Sequence, residues 1–234
     1  MVNPVGELRA TFRGGLSGRS DDWTTSTGHG VVREASARLP MILDSLLEDA
    51  DLLAAVAQRS YLHANGFAKI VLVRSDNGQE QLRLHVWPES STPDPGDTHD
   101  HRWSFVSLPL VGTFSEGRFT ETTTGDDRCV YRCDSRQGRE WLTLRGPMEV
   151  KLEQVAAMER QPGESYSCRW GEIHNFGPSS AGVAATLVLV GEPQRGFANV
   201  YREDPVAPDE LTVPSPSMTV QELTATISLF QRHA

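Results

Sequence analysis

The feature that most restricts the fold is a series of short stretches of strand-like periodicity between Phe67 and Val190, separated by Gly- and Asp-bearing turns. A period of two puts successive side chains on opposite faces of a strand. Phe67-Ala-Lys-Ile-Val-Leu-Val-Arg74 and Gln81-Leu-Arg-Leu-His-Val-Trp87 flank Ser75-Asp-Asn-Gly78, whose Asn-Gly step signals a hairpin. Further strands are predicted at Ser104 to Leu110, Gly117 to Thr122, Cys129 to Cys133, Glu149 to Leu152, Met158 to Arg160 and Val183 to Val190. No helical crossovers intervene, so the strands predict an antiparallel sandwich or barrel.

Helical periodicity is confined to the flanks. Between Val32 and Leu62, the positions Leu39, Ile42, Leu43, Leu46, Leu47, Leu52, Leu53 and Val56 recur at spacings that predict a helical hairpin. Asp51 is the expected cap of its second helix and Asn65-Gly66 its terminator. Near the C-terminus, Thr219 to Gln231 predicts a short amphipathic helix with a Thr219/Glu222 capping box. Residues 1–30 are rich in Gly, Ser and Thr and are expected to form a loose arm or lid. The organisation is thus an arm and helical hairpin over 1–65, a barrel over 66–192, and an extension with a short helix over 193–234.

Set into the strand pattern is Pro95-Gly-Asp-Thr-His99-Asp-His101-Arg-Trp103. Histidines one residue apart on a strand face the same way, so His99 and His101 can hold one ion. His174, within Gly163-Glu-Ser-Tyr-Ser-Cys-Arg-Trp-Gly171-Glu-Ile-His174-Asn175, is the candidate third ligand. Three imidazoles leave positions open for exogenous ligands. Asp100 points to the opposite face and suits a surface or supporting hydrogen bond. Glu116 and Glu121, on the next strand, are the available sources of a fourth ligand.

At these residues the chain resembles the cupin superfamily. The first cupin motif is matched by His99, His101 and Gly112, with Phe105 or Val106 where the family has glutamate. The second is matched by Gly163, Gly171 and His174, with Arg169 and Pro178 at the family's proline and asparagine positions. The resemblance covers about residues 66 to 192 and implies a mainly β jelly-roll barrel. Without the glutamate, the ligand set is similar to that of the three-histidine, cysteine dioxygenase type of non-haem iron enzyme. Departures at Val106 and after His174 set it apart from the thiol enzymes. The implied cofactor is Fe(II), with Zn, Mn or Ni as alternatives, and the implied reactants are a small-molecule substrate and dioxygen.

In Gln81 to Trp87, the face carrying Arg83, His85 and Trp87 is expected to turn inward beside the metal motif. His85 is the candidate for proton transfer, Arg83 for pairing with a substrate carboxylate, and Trp103 with Phe105 for the pocket wall. His63 reads as a surface or packing residue. The competing reading has the three histidines as hydrogen-bonded barrel residues and the aromatics as core. A net charge of -9 argues against nucleic acid or anionic membrane as partner. The odd cysteine count, and an N-terminus without a charged-then-apolar segment, predict a cytoplasmic protein; a homodimer is compatible with these features. The expected function is therefore a mononuclear non-haem iron-dependent oxygenase acting on a small organic substrate, with amino acids and carboxylates among the candidates. A metal-dependent lyase, isomerase or epimerase and a non-catalytic ligand-binding cupin stand as alternatives.

Overall fold

The computed structural model describes residues 26–134, 141–207, 212–214 and 216–234. Helix α1 (Ser26–Glu48) and helix α2 (Ala50–Arg59) come first. They are followed by β1 (Tyr61–Leu62), β2 (Ala68–Arg74), β3 (Gln81–Trp87), β4 (Thr98–His99), β5 (Trp103–Val111) and β6 (Phe114–Thr122). Next are β7 (Asp126–Asp134), β8 (Trp141–Arg160), β9 (Tyr166–Cys168), β10 (Ile173–Pro178) and β11 (Ala184–Pro193). The chain ends with β12 (Ala198–Arg202), β13 (Thr212–Pro214) and α3 (Val220–Gln231). Every described pairing is antiparallel. One sheet has the order β1-β2-β3-β11-β5-β9 and the other β13-β8-β6-β10-β4-β12-β7. The two make a jelly-roll barrel. The long β8 pairs with β6 through its second half and with β7 through its first, joining two ends of the second sheet.

Alternation along β3 divides the interior. Leu82, Leu84 and Val86 join Ala185, Leu187 and Leu189 of β11 in a core covered by the helices. From α1, Val32, Ala35, Leu39, Ile42, Leu43 and Leu46 fill it, each burial contributing about 1.5–3 kcal/mol for the larger side chains. The opposite face of β3 turns into the barrel and meets smaller aromatic clusters around Phe105, Tyr166, Phe176 and Trp87.

Several local expectations change. The N-cap of α2 is Asp49, whose carboxylate accepts from Leu52 N at 2.9 Å; Asp51 lies in the first turn instead. The helix ends at Arg59, and Asn65-Gly66 forms the turn between β1 and β2, where Gly66 N donates to His63 O and Gly66 takes φ +77°. At the bulge in β2, Arg59 donates to the carbonyls of Val71 and Leu72 while Ser60 Oγ accepts from Val71 N. Helix α2 thereby satisfies backbone groups that the ladder leaves open. Residues 1–25 of the expected arm lie outside the described residues, and 26–30 belong to α1. Glu149 to Leu152 and Met158 to Arg160 are parts of the single strand β8. The Thr219/Glu222 capping box of α3 is present as expected.

Candidate metal centre

The chain changes sheets between β4 and β5, and the His-x-His stretch is where it crosses. His99 ends β4, pairing with His174 of β10 on one side and Val200 of β12 on the other. His101 lies beyond the strand in the connection to β5. The connection is pinned along its length: Asp100 N donates to Asn199 O, Gly171 N to His101 O and Gln194 N to Arg102 O, at 3.0, 3.0 and 2.6 Å. Asp100 was expected at a surface or in a supporting bond; it is 2% exposed, pairs with Arg195, and accepts from both the backbone and side-chain nitrogens of Asn199. The buried carboxylate is committed to Arg195 and Asn199 and so anchors the loop that carries the histidines.

The three imidazoles converge: one ligand atom from each of His99, His101 and His174 lies within 4.8 Å of the others. His101 Nε2 and His174 Nε2 stand 3.0 Å apart. Nitrogens bound to one ion at ~2.1 Å would be ~3.0 Å apart in the cis positions of an octahedron, so this spacing suits a shared ion. The Nδ1 of His99 bonds to the Asp97 carbonyl oxygen at 2.7 Å, which leaves Nε2 for the centre. Among the described residues, the Nδ1 of His174 has no hydrogen-bond partner. Burial first, and then the neighbouring positive charges and histidines, hold His101 and His174 well below the usual imidazole range; burial also lowers His99, partly offset by Asp97. Neutral imidazoles are the form that binds metal.

The histidines lie on one side of a cavity of about 210 Å³ between the sheets. The Phe105 ring approaches those of His101 and His174 at 5.0 and 5.8 Å between centroids, whereas Val106 faces the helix-covered core. Trp103 stacks near His101 at 6.0 Å, and the guanidiniums of Arg83 and Arg102 lie over its ring at 4.8 and 4.7 Å. Arg83 and His85 also line the cavity. Among the described residues His85 Nε2 has no hydrogen-bond partner, and burial, followed by Lys69, Arg83 and His63, keeps the ring well below its ordinary pKa.

Neither carboxylate considered as a fourth ligand belongs to the cluster. Glu116 is 1% exposed and is held between Arg118 and Arg160; Glu121 accepts from Tyr201 Oη at 3.1 Å. Two residues not singled out from sequence, Tyr61 and Lys69, also reach the cavity, as does His63. His63 stacks on Phe67 at 4.5 Å, so it lines the cavity rather than the outer surface. The available signal was Lys69 itself, a lone cation in the apolar run Ala68 to Val73.

No family model matches the chain, and no curated protein does. Solved structures with partial likeness include an oxalate oxidase in complex with the substrate analogue glycolate (15% identity, TM-score 0.34), which covers 58% of this chain and 55% of its own. The polyketide cyclase RemF from Streptomyces resistomycificus is 14% identical over 64% of this chain and 82% of its own, with TM-score 0.34. Hydroxypropylphosphonic acid epoxidase from S. wedmorenis is 10% identical over 80% of this chain and 97% of its own, also at TM-score 0.34. Likeness this slight leaves the function to be argued from the chain's own site.

Proposed function

We propose that His99, His101 and His174 hold a divalent metal ion, iron(II) foremost, and that the protein is a mononuclear non-haem oxygenase acting on a small organic molecule in the cavity. The observation that carries this reading is the convergence of three neutral imidazoles on one wall of a cavity large enough for a ligand. Iron bound there would supply the redox chemistry needed to use dioxygen. The ligand set resembles that of the three-histidine non-haem iron enzymes of the cupin superfamily; zinc, manganese or nickel would be held by the same nitrogens.

The chain's own residues set the conditions. With no carboxylate in the ligand cluster, an ion would keep its full positive charge and favour an anionic or chelating substrate. Phe105, Trp103, Tyr166 and Phe176 line the cavity with apolar surface and limit the water beside the ligands. His85, neutral at physiological pH, can offer a hydrogen bond without adding charge. The odd cysteine count supports a reducing, cytoplasmic setting.

The test is metal analysis of protein purified without chelator, followed by oxygen-electrode assays with amino acids and small carboxylates. About one ion per chain is expected, lost in His99→Ala, His101→Ala and His174→Ala with unchanged circular dichroism. Full metal content in any of these variants removes that histidine from the site. Bound metal without oxygen uptake across the panel sinks the oxygenase assignment.

A further inference from the structure

One wall of the cavity carries positive charge that no carboxylate among the described residues pairs with. Lys69 and Arg83 are 8% and 7% exposed, lie on the adjoining strands β2 and β3, and both line the cavity. Lys69 Nζ donates to Tyr61 Oη and Arg83 Nε to Gln81 Oε1, each at 2.8 Å: a phenol and an amide. Among the described residues neither cation has a carboxylate partner. The two acids on the cavity wall are engaged elsewhere, Asp97 by Arg202 and Asp100 by Arg195.

Strand register adds two more polar groups beside them. Lys69 pairs with His85, and His85 with Thr186 of β11; His85 Nε2 and Thr186 Oγ1 are buried without hydrogen-bond partners among the described residues. The three side chains form a row across β2, β3 and β11 on the cavity side, and Arg83 stands two residues along β3. An ammonium, a neutral imidazole, a hydroxyl and a guanidinium can all donate. Such a row is costly to leave dry and unpaired, and complementary to an oxyanion.

We propose that Lys69, His85 and Thr186, flanked by Arg83 and Tyr61, form a carboxylate-binding subsite, and that the substrate is a small organic acid whose carboxylate sits there while its reacting end faces His99, His101 and His174. The substrate role rests on the metal-site reading above; the anion site does not. Phe105, whose ring is 5.0 Å from that of His101, lies on β5, beyond β11 from β3. Two strand spacings are ~10 Å, a gap that the long side chains of Lys69 and Arg83 and an acid of a few carbons can close.

The experiment uses full-length, chelator-treated protein and reads thermal unfolding with butanoate, butanamide and 1-propanesulfonate. Butanoate should raise the melting temperature saturably and butanamide should not. Lys69→Met and Arg83→Met should each weaken butanoate binding at least tenfold, and both should melt above wild type without anion, because each removes an uncompensated charge. Thr186→Val, a small change that keeps the fold should the methionine variants fail, should weaken it about threefold. Equal protection by butanoate and butanamide, tighter binding of the sulfonate, or variants that melt lower yet bind butanoate unchanged would overturn the assignment. His99→Ala should keep butanoate protection, so a failure of metal binding in the wild type counts against the metal reading alone.

Discussion

Phe105 stands where a fourth ligand would face the three histidines, its ring 5.0 Å from that of His101 and 5.8 Å from that of His174. Phe105→Glu should therefore place a carboxylate against the centre. Without metal, a buried and unpaired carboxylate is expected to destabilise the fold by about 2–4 kcal/mol, with its pKa raised; added metal should return most of that stability. Denaturant unfolding with and without metal, together with the absorption spectrum of cobalt-substituted protein, measures both effects. An unchanged spectrum would mean that position 105 does not reach the ion. The individual residues of the cluster were legible in sequence because a one-residue spacing of histidines and registered glycines are local signals. Lys69 and Tyr61 were not: their meaning comes from strand register and from the absence of an acidic partner, which only the assembled barrel discloses.

Among the elements, β2, β3, β5, β11 and α3 were readable because each is long enough for its periodicity to show. The strands that build the centre, β4, β9, β10 and β12, have two to six residues and carry polar side chains, so their order comes from pairing with neighbours rather than from pattern. The period-two argument for His99 and His101 reached the right convergence although the strand stops at His99; backbone bonds from Asn199, Gly171 and Gln194 hold the crossing in place of a ladder. Gly171 makes this dependence testable. It takes φ +77°, its N–H donates to His101 O, and an added Cβ would meet nothing within 4 Å. Gly171→Ala thus probes backbone conformation without a clash. It should destabilise the protein by about 1–2 kcal/mol, and loss of metal affinity beyond that seen in an equally destabilised variant remote from the site would show that this turn positions His101. Unchanged affinity would assign Gly171 to the fold alone.

At the scale of the whole molecule, a chain with net charge -9 encloses a cavity lined by Lys69, Arg83, Arg102 and Arg202. Its buried histidines share that interior, which links stability to pH. His63 and His85 are each held well below the ordinary imidazole value of 6.5, by burial first and then by Lys69 and nearby charge. Well above pH 6.5 both rings are neutral folded or unfolded and contribute no pH dependence. As pH falls below that value the unfolded chain takes up protons that the folded protein refuses. Stability then falls by at most ~1.4 kcal/mol per pH unit for each such ring, until the folded-state pKa is reached. His101, His174 and the carboxylates add their own dependence in metal-free protein, but they are common to wild type and variant and cancel in a comparison. Urea unfolding of metal-free wild type and His85→Gln at a series of pH values from about 7.5 to about 5 should give a shallower loss in the variant, by close to one proton's worth of slope. Superimposable slopes would mean that His85 gains its proton while folded, placing a third positive charge beside Lys69 and Arg83 and requiring that wall of the cavity to be far wetter than its burial allows.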